Sequence, residues 1–132
     1  MSAFAKCRIS GPGAEAFLDN LTANKLPKGI GRVSLSHALT DRGGVHSEYT
    51  IQRESTDSFY VVSAGVGQRL DHDWIKKHMP DDGSVRFDNL TNSIGVLVLA
   101  GPKSRDILQK LTRTDLSNEG FPWLSSRLID VN

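Results

Sequence analysis

Val33-Ser-Leu-Ser-His-Ala-Leu-Thr-Asp-Arg-Gly-Gly-Val-His-Ser-Glu-Tyr-Thr-Ile-Gln-Arg53 is the stretch on which the fold turns. Side chains on a strand point to alternate faces, so a period of two marks one. Val33, Leu35, His37 and Leu39 alternate with Ser34, Ser36, Ala38 and Thr40. Asp41-Arg-Gly-Gly44 is a turn, because glycine takes positive φ without steric cost. Val45, Ser47, Tyr49 and Ile51 then face one way, and His46, Glu48, Thr50 and Gln52 the other. Together the two runs read as a β-hairpin.

Outward from the hairpin, Ser55-Thr-Asp-Ser58 is a second turn and Phe59-Tyr-Val-Val-Ser-Ala64 a third strand. Upstream, residues 4–10 alternate with Ala5, Cys7 and Ile9 on one side, a half-buried strand. Cys7 is then a small core residue rather than a nucleophile. Gly11-Pro12 breaks that strand, and Pro12 suits the first helical position, where a missing amide proton costs nothing. Ala14, Phe17, Leu18 and Leu21 predict a helix running to Asn24, followed by a loop over 25–32. Downstream, Val66, Leu70, Trp74 and Ile75 predict a helix over 66–78, stopped at Met79-Pro-Asp-Asp-Gly83. Val85 to Leu90 reads as a strand and Gly95 to Ala100 as a more buried one. Gly101-Pro102 opens a helix carrying Ile107, Leu108 and Leu111, Phe121-Pro-Trp-Leu124 is a loop, and Arg127 to Val131 starts a further strand.

One echo runs through this order. Ile9-Ser-Gly-Pro12 is followed by Leu18, Leu21 and Thr22, and Leu99-Ala-Gly-Pro102 by Leu108, Leu111 and Thr112. It is either a cheap strand-to-helix joint used twice or two related β-α units. Strands outnumber helices and hairpins recur. The expected fold is therefore α+β, a mostly antiparallel sheet with two or three helices on one face.

Composition bounds the function. A chain of 132 residues with 38% hydrophobic and 23% charged residues is one domain or a piece of one, neither collagenous nor wholly disordered. Sixteen basic and 15 acidic residues leave a net charge of +1, which argues against a nucleic-acid binder. One Cys excludes an intramolecular disulfide and a cysteine zinc finger. No apolar run reaches the ~18–20 residues of a membrane span. The opening Met1-Ser-Ala-Phe-Ala-Lys-Cys-Arg8 does not read as a signal peptide, so a reducing compartment is expected and the Asn20 and Asn89 Asn-Leu-Thr triplets are chance matches. His72 and His78, six apart on one helix, cannot share an ion, and no metal site is expected from His37 or His46 either. Gly29-Ile-Gly31 lacks the context of a dinucleotide fingerprint, and no Gly-x-Ser-x-Gly elbow supports a catalytic triad. Glu48, on a strand just beyond the diglycine turn, is the informative acid. It is either a solvated face residue or a carboxylate lining a pocket and serving a ligand nitrogen.

Three stretches carry a resemblance to a known family. They are Met1-Ser-Ala-Phe-Ala-Lys-Cys-Arg-Ile-Ser-Gly-Pro-Gly-Ala-Glu-Ala-Phe-Leu-Asp-Asn-Leu-Thr-Ala-Asn24, then Gly31 to Thr50 with its Asp41-Arg-Gly-Gly-Val-His-Ser-Glu-Tyr49, then Val96-Leu-Val-Leu-Ala-Gly-Pro-Lys-Ser-Arg105. In this order they resemble the folate-binding domain of the aminomethyltransferases, meaning the glycine-cleavage T protein and the matching region of dimethylglycine and sarcosine dehydrogenases. The wording is nearest the dimethylglycine dehydrogenase-like branch. Phe121-Pro-Trp-Leu124 is similar to the family's link back toward its first subdomain.

The resemblance implies a partial folate-binding domain, with residues 1–132 as its N-terminal portion, that serves one-carbon transfer from a small amine to tetrahydrofolate. Glu48 falls where the family places the acid beside the reacting nitrogen, typically Asp. Leu35 stands at a pocket position that is Tyr in T proteins, Thr50 and Gln52 share the strand face of Glu48, and Ser63 matches a ligand-side Asn. The implied cofactor is tetrahydrofolate, with FAD confined to an adjacent flavin domain. The implied setting is the bacterial cytoplasm or the mitochondrial matrix, with neither nucleic acid nor membrane as partner, and a chain of this length is expected to turn over weakly by itself. The rival readings are a folate-domain relative of the iron–sulfur assembly type, a sulfonium methyl transferase, and a ferredoxin-like small-ligand binding module.

Overall fold

The computed structural model describes residues 3–132. Met1 and Ser2, which open the first matching stretch, lie outside the described residues. The chain runs β1 (Phe4–Ser10), α1 (Ala14–Leu21), β2 (Val33–Leu39), β3 (Val45–Arg53), β4 (Ser58–Ala64), a 3-10 turn (Gly65–Gly67), α2 (Gln68–His78), β5 (Arg86–Asn89) and α3 (Ser104–Gln109). The strands form one sheet in the order β2-β3-β4-β1-β5, and every neighbouring pair is antiparallel. This is the expected α+β fold.

The core lies where α1 and α2 meet the inner face of the sheet. Ile9, Ile51, Phe59 and Val61 from the strands pack with Phe17 and Leu18 of α1 and Ile75 of α2. Each such side chain contributes roughly 1.5–3 kcal/mol when fully buried. Cys7 is only 3% exposed within this cluster, as its place in the alternation requires. An ion pair between the buried Arg53 and the largely exposed Glu15 closes the hairpin end. The Arg53 guanidinium donates to Glu15 of α1 and to the carbonyl oxygens of Pro27 and Thr56, and stacks over the Phe59 ring.

Both Gly-Pro joints have the same backbone form. Gly11 has φ +112° and Gly101 φ +114°, and in each the amide three residues on donates to the glycine carbonyl. Each helix starts there, at Ala14 and Ser104, so Pro12 precedes α1 instead of opening it. The two sites differ in their surroundings. A Cβ on Gly11 would collide with the carbonyl of Ser84, whereas one on Gly101 meets nothing within 4 Å.

Several sequence expectations need correction. α1 ends at Leu21 rather than Asn24, because Thr22 becomes extended to bridge Ala38. Val66 and Leu70 do not face the core: Val66 is fully exposed in the 3-10 turn, and α2 buries Asp71, His72 and Ile75 instead. Residues 95–100 form no strand, nor do 127–131. A strand exists only as a paired ladder, and none of the described strands pairs with either segment.

The free side of β2 is covered by chain from both directions. Ala23 N–H donates to His37 O at 2.9 Å, Asn24 Nδ2 to Leu35 O at 2.7 Å, and Asn24 N–H to Ser36 Oγ at 2.9 Å. At the other end, Val33 N–H donates to Leu124 O at 2.9 Å, beside a bridge between Arg32 and Ser125. Leu124, at the end of the Phe121–Leu124 loop, thus meets the start of β2.

Candidate functional site

The site is built by the hairpin register. Leu39 faces Val45, but Ala38 faces Ser47, so His46 is an extra residue: a β-bulge. A flat hairpin continuing from Leu39 and Val45 would set His37 opposite Ser47. The bulge sets His37 opposite Glu48 instead, and Ser36 opposite Tyr49. Ser36, Ala38, Tyr49 and Ile51 therefore turn inward, while Leu35, His37, Glu48 and Thr50 turn outward. The bulge also overturns one expectation. His46 does not share the face of Glu48; its ring stacks on Trp74 of α2, with centroids 4.1 Å apart.

Directly opposed residues on antiparallel strands share a face and touch. On the outer face Leu35, Thr50 and Val62 form one row across β2, β3 and β4, and Val33, Gln52 and Tyr60 form the next. Four of the five residues singled out from sequence, Leu35, Glu48, Thr50 and Gln52, are thus brought together. Leu35 is 51% exposed, an apolar side chain standing open beside polar ones. The Glu48 side chain is 69% exposed, and its Oε2 lies 3.2 Å from His37 Nε2. Its other oxygen, Oε1, accepts no hydrogen bond from the described residues.

Ser63 lies elsewhere. It alternates with Val62, points inward, and donates from Oγ to Asp71 Oδ2 of α2 at 2.6 Å. The structure does not bring it to the other four. His37 is the residue that sequence reading passed over. The signal was the diglycine turn, which sets the hairpin, but pairing His37 with Glu48 also needs the bulge.

A cavity of about 260 Å³ lies beside the outer row, between Gln52, Glu54, Ile30, Gly31, Ser126 and Arg127. Another, of about 430 Å³, is lined wholly by residues 105–119, among them Arg105, Asp106, Asp115 and Glu119. There Arg105 donates from Nη1 to the carbonyl oxygens of Leu116, Ser117 and Phe121, and Gln109 brackets Thr112, Thr114 and Leu116, so these side chains hold a loop. Among the described residues no group of three or more His, Cys, Asp or Glu is placed to hold a metal ion, and no helix is long and apolar enough to cross a membrane.

An antiparallel sheet backed by helices has known counterparts. The whole chain, residues 1–132, matches the family described as the GCVT N-terminal domain, and it belongs to that family. It is an aminomethyltransferase-family domain, homologous to dimethylglycine dehydrogenase. The human mitochondrial dimethylglycine dehydrogenase is 36% identical over 133 residues, covering 100% of this chain and 15% of that protein. The aminomethyltransferase of Chloroherpeton thalassium is 29% identical over 117 residues, covering 88% of this chain and 32% of its own length. The crystal structure of the glycine cleavage system aminomethyltransferase T from Bartonella henselae has the same fold, with TM-score 0.68 at 18% identity over 83% of this chain and 30% of that one. The chain spans a minor part of the length of each.

Proposed function

We propose that the outer face of β2–β3 is one wall of a tetrahydrofolate site, and that residues 1–132 are the N-terminal portion of a folate-binding one-carbon transferase domain. The reading is supported by family membership, by relatives named aminomethyltransferase and dimethylglycine dehydrogenase, and by the row geometry. The observation that carries it is the grouping of Leu35, Thr50 and Gln52 with an acid whose second oxygen is unspent.

Those residues suit a pterin. Leu35 offers an apolar surface for a flat ring, Thr50 and Gln52 offer hydrogen-bonding groups, and Glu48 offers an acceptor for a ring N–H. Bound tetrahydrofolate would supply the nitrogen that accepts the one-carbon unit. Glu48 would stabilise positive charge near that nitrogen or take its proton, a role worth roughly 10²–10⁴ in rate. The small amine donor, an adjacent flavin domain and a setting in a bacterial cytoplasm or a mitochondrial matrix belong to the same proposal.

Anaerobic isothermal titration of the chain with tetrahydrofolate tests it. Glu48→Gln keeps the shape and removes the charge. It is expected to weaken binding by ~1.5–3 kcal/mol, the usual worth of a hydrogen bond to a charged group. An unchanged heat in the variant, or no heat at all in the parent chain, would refute the reading.

A further inference from the structure

We propose that His37 is a positioning residue for Glu48, so that the acid on the outer face works as a cross-strand His–carboxylate pair. This rests on the folate reading above and concerns the same site.

The pair is made by backbone register before any side chain is considered. His37 and Glu48 are direct partners on β2 and β3, and the bulge at His46 is what makes them so. Nε2 and Oε2 stand 3.2 Å apart, within hydrogen-bond range. A glutamate 69% exposed on a strand has several rotamers of similar energy. One hydrogen bond from across the hairpin selects among them. With Nε2–H donating to Oε2, Oε1 is left as the acceptor for a ligand N–H, and its direction is fixed by the ring. The His37 side chain is 44% exposed, so its substitution does not open the core.

His37→Leu removes the donor while keeping bulk. His37→Gln restores an N–H at nearly the reach of Nε2. Both are titrated with tetrahydrofolate beside the parent chain, Glu48→Gln and the double variant His37→Leu/Glu48→Gln, and thermal melts check that each is folded. His37→Leu is expected to weaken binding about fivefold, and His37→Gln to stay within about twofold, since a charge-assisted hydrogen bond is lost in one and kept in the other. The double variant is expected to bind no more weakly than Glu48→Gln alone, because a positioning residue has nothing left to position. Unchanged binding by His37→Leu, or losses that multiply in the double variant, would overturn the role of His37 and leave the folate reading standing. A parent chain that binds no tetrahydrofolate would overturn that reading, and this assignment with it.

Discussion

Cys7 shows how far one position can be argued from its neighbours. Its place on the inward side of β1 predicts burial, and burial pushes its thiol up to about 12, with Asp71 adding to the effect. The thiolate is the reactive form. Native chain is therefore expected to resist iodoacetamide at pH 8, with labelling appearing only as urea unfolds it, as mass spectrometry would record. His72 gives a pH dependence. Burial, and then the nearby Lys76, pull its imidazole below the ordinary 6.5, against Asp71 and Asp73. The unfolded chain thus takes up a proton before the folded one does, so stability is full above pH 6.5 and falls as the pH drops below it. A second loss follows below the ordinary 4.5 of Glu54, whose carboxyl the Arg8 guanidinium holds low. Urea midpoints measured from pH 8 to 3 are expected to fall in these two stages. His72→Phe, which can keep the edge contact with Phe87, should remove the first stage and leave the second. What sequence could not give at this scale was His37. Its partner is decided by pairing, and a lone His on an alternating strand reads as solvated.

The elements were legible wherever the signal is local. β1 and the hairpin follow from alternation and glycine turns, and both Gly-Pro joints proved to share one backbone form. The joints nevertheless call for different tolerance. Gly11→Ala combines an unfavourable positive φ with a collision against Ser84 and is expected to cost about 2–4 kcal/mol, whereas Gly101→Ala carries the backbone strain alone, about 1–2 kcal/mol. Chemical denaturation of the two variants would check the contrast. The bulge was not legible, because an extra residue leaves no mark on the alternation until the partner strand is in register. It turns His46 onto Trp74 and leaves His46 Nε2 buried without a hydrogen-bond partner. His46→Phe keeps a ring on Trp74 and removes that orphan atom. It is expected to leave stability unchanged or raise it by about 1 kcal/mol, which the same measurement would show. The strand expected over 95–100 failed for the converse reason: its apolar run is genuine, but a run does not name a partner.

At the scale of the whole molecule, order is concentrated in the sheet with α1 and α2. Leu97 is almost wholly exposed, Val98 largely so and Leu99 about half, in a segment without regular structure. Few buried contacts mean cheap local opening. Limited proteolysis is expected to cut first between 95 and 100, and hydrogen exchange to be fastest there and slowest in β1, β3 and β4. The outer face that carries Leu35, Glu48, Thr50 and Gln52 is expected to stay in place through such cuts, since its ladder lies within the sheet. The covering of β2 by Ala23, Asn24 and Leu124 has a consequence of its own for the behaviour of concentrated samples. Backbone groups already engaged there offer no template to another copy, and β5 at the opposite margin is only four residues long. Clumping of this chain would proceed through greasy side chains and yield to mild detergent; it would not seed fibrils, and thioflavin should stay dark.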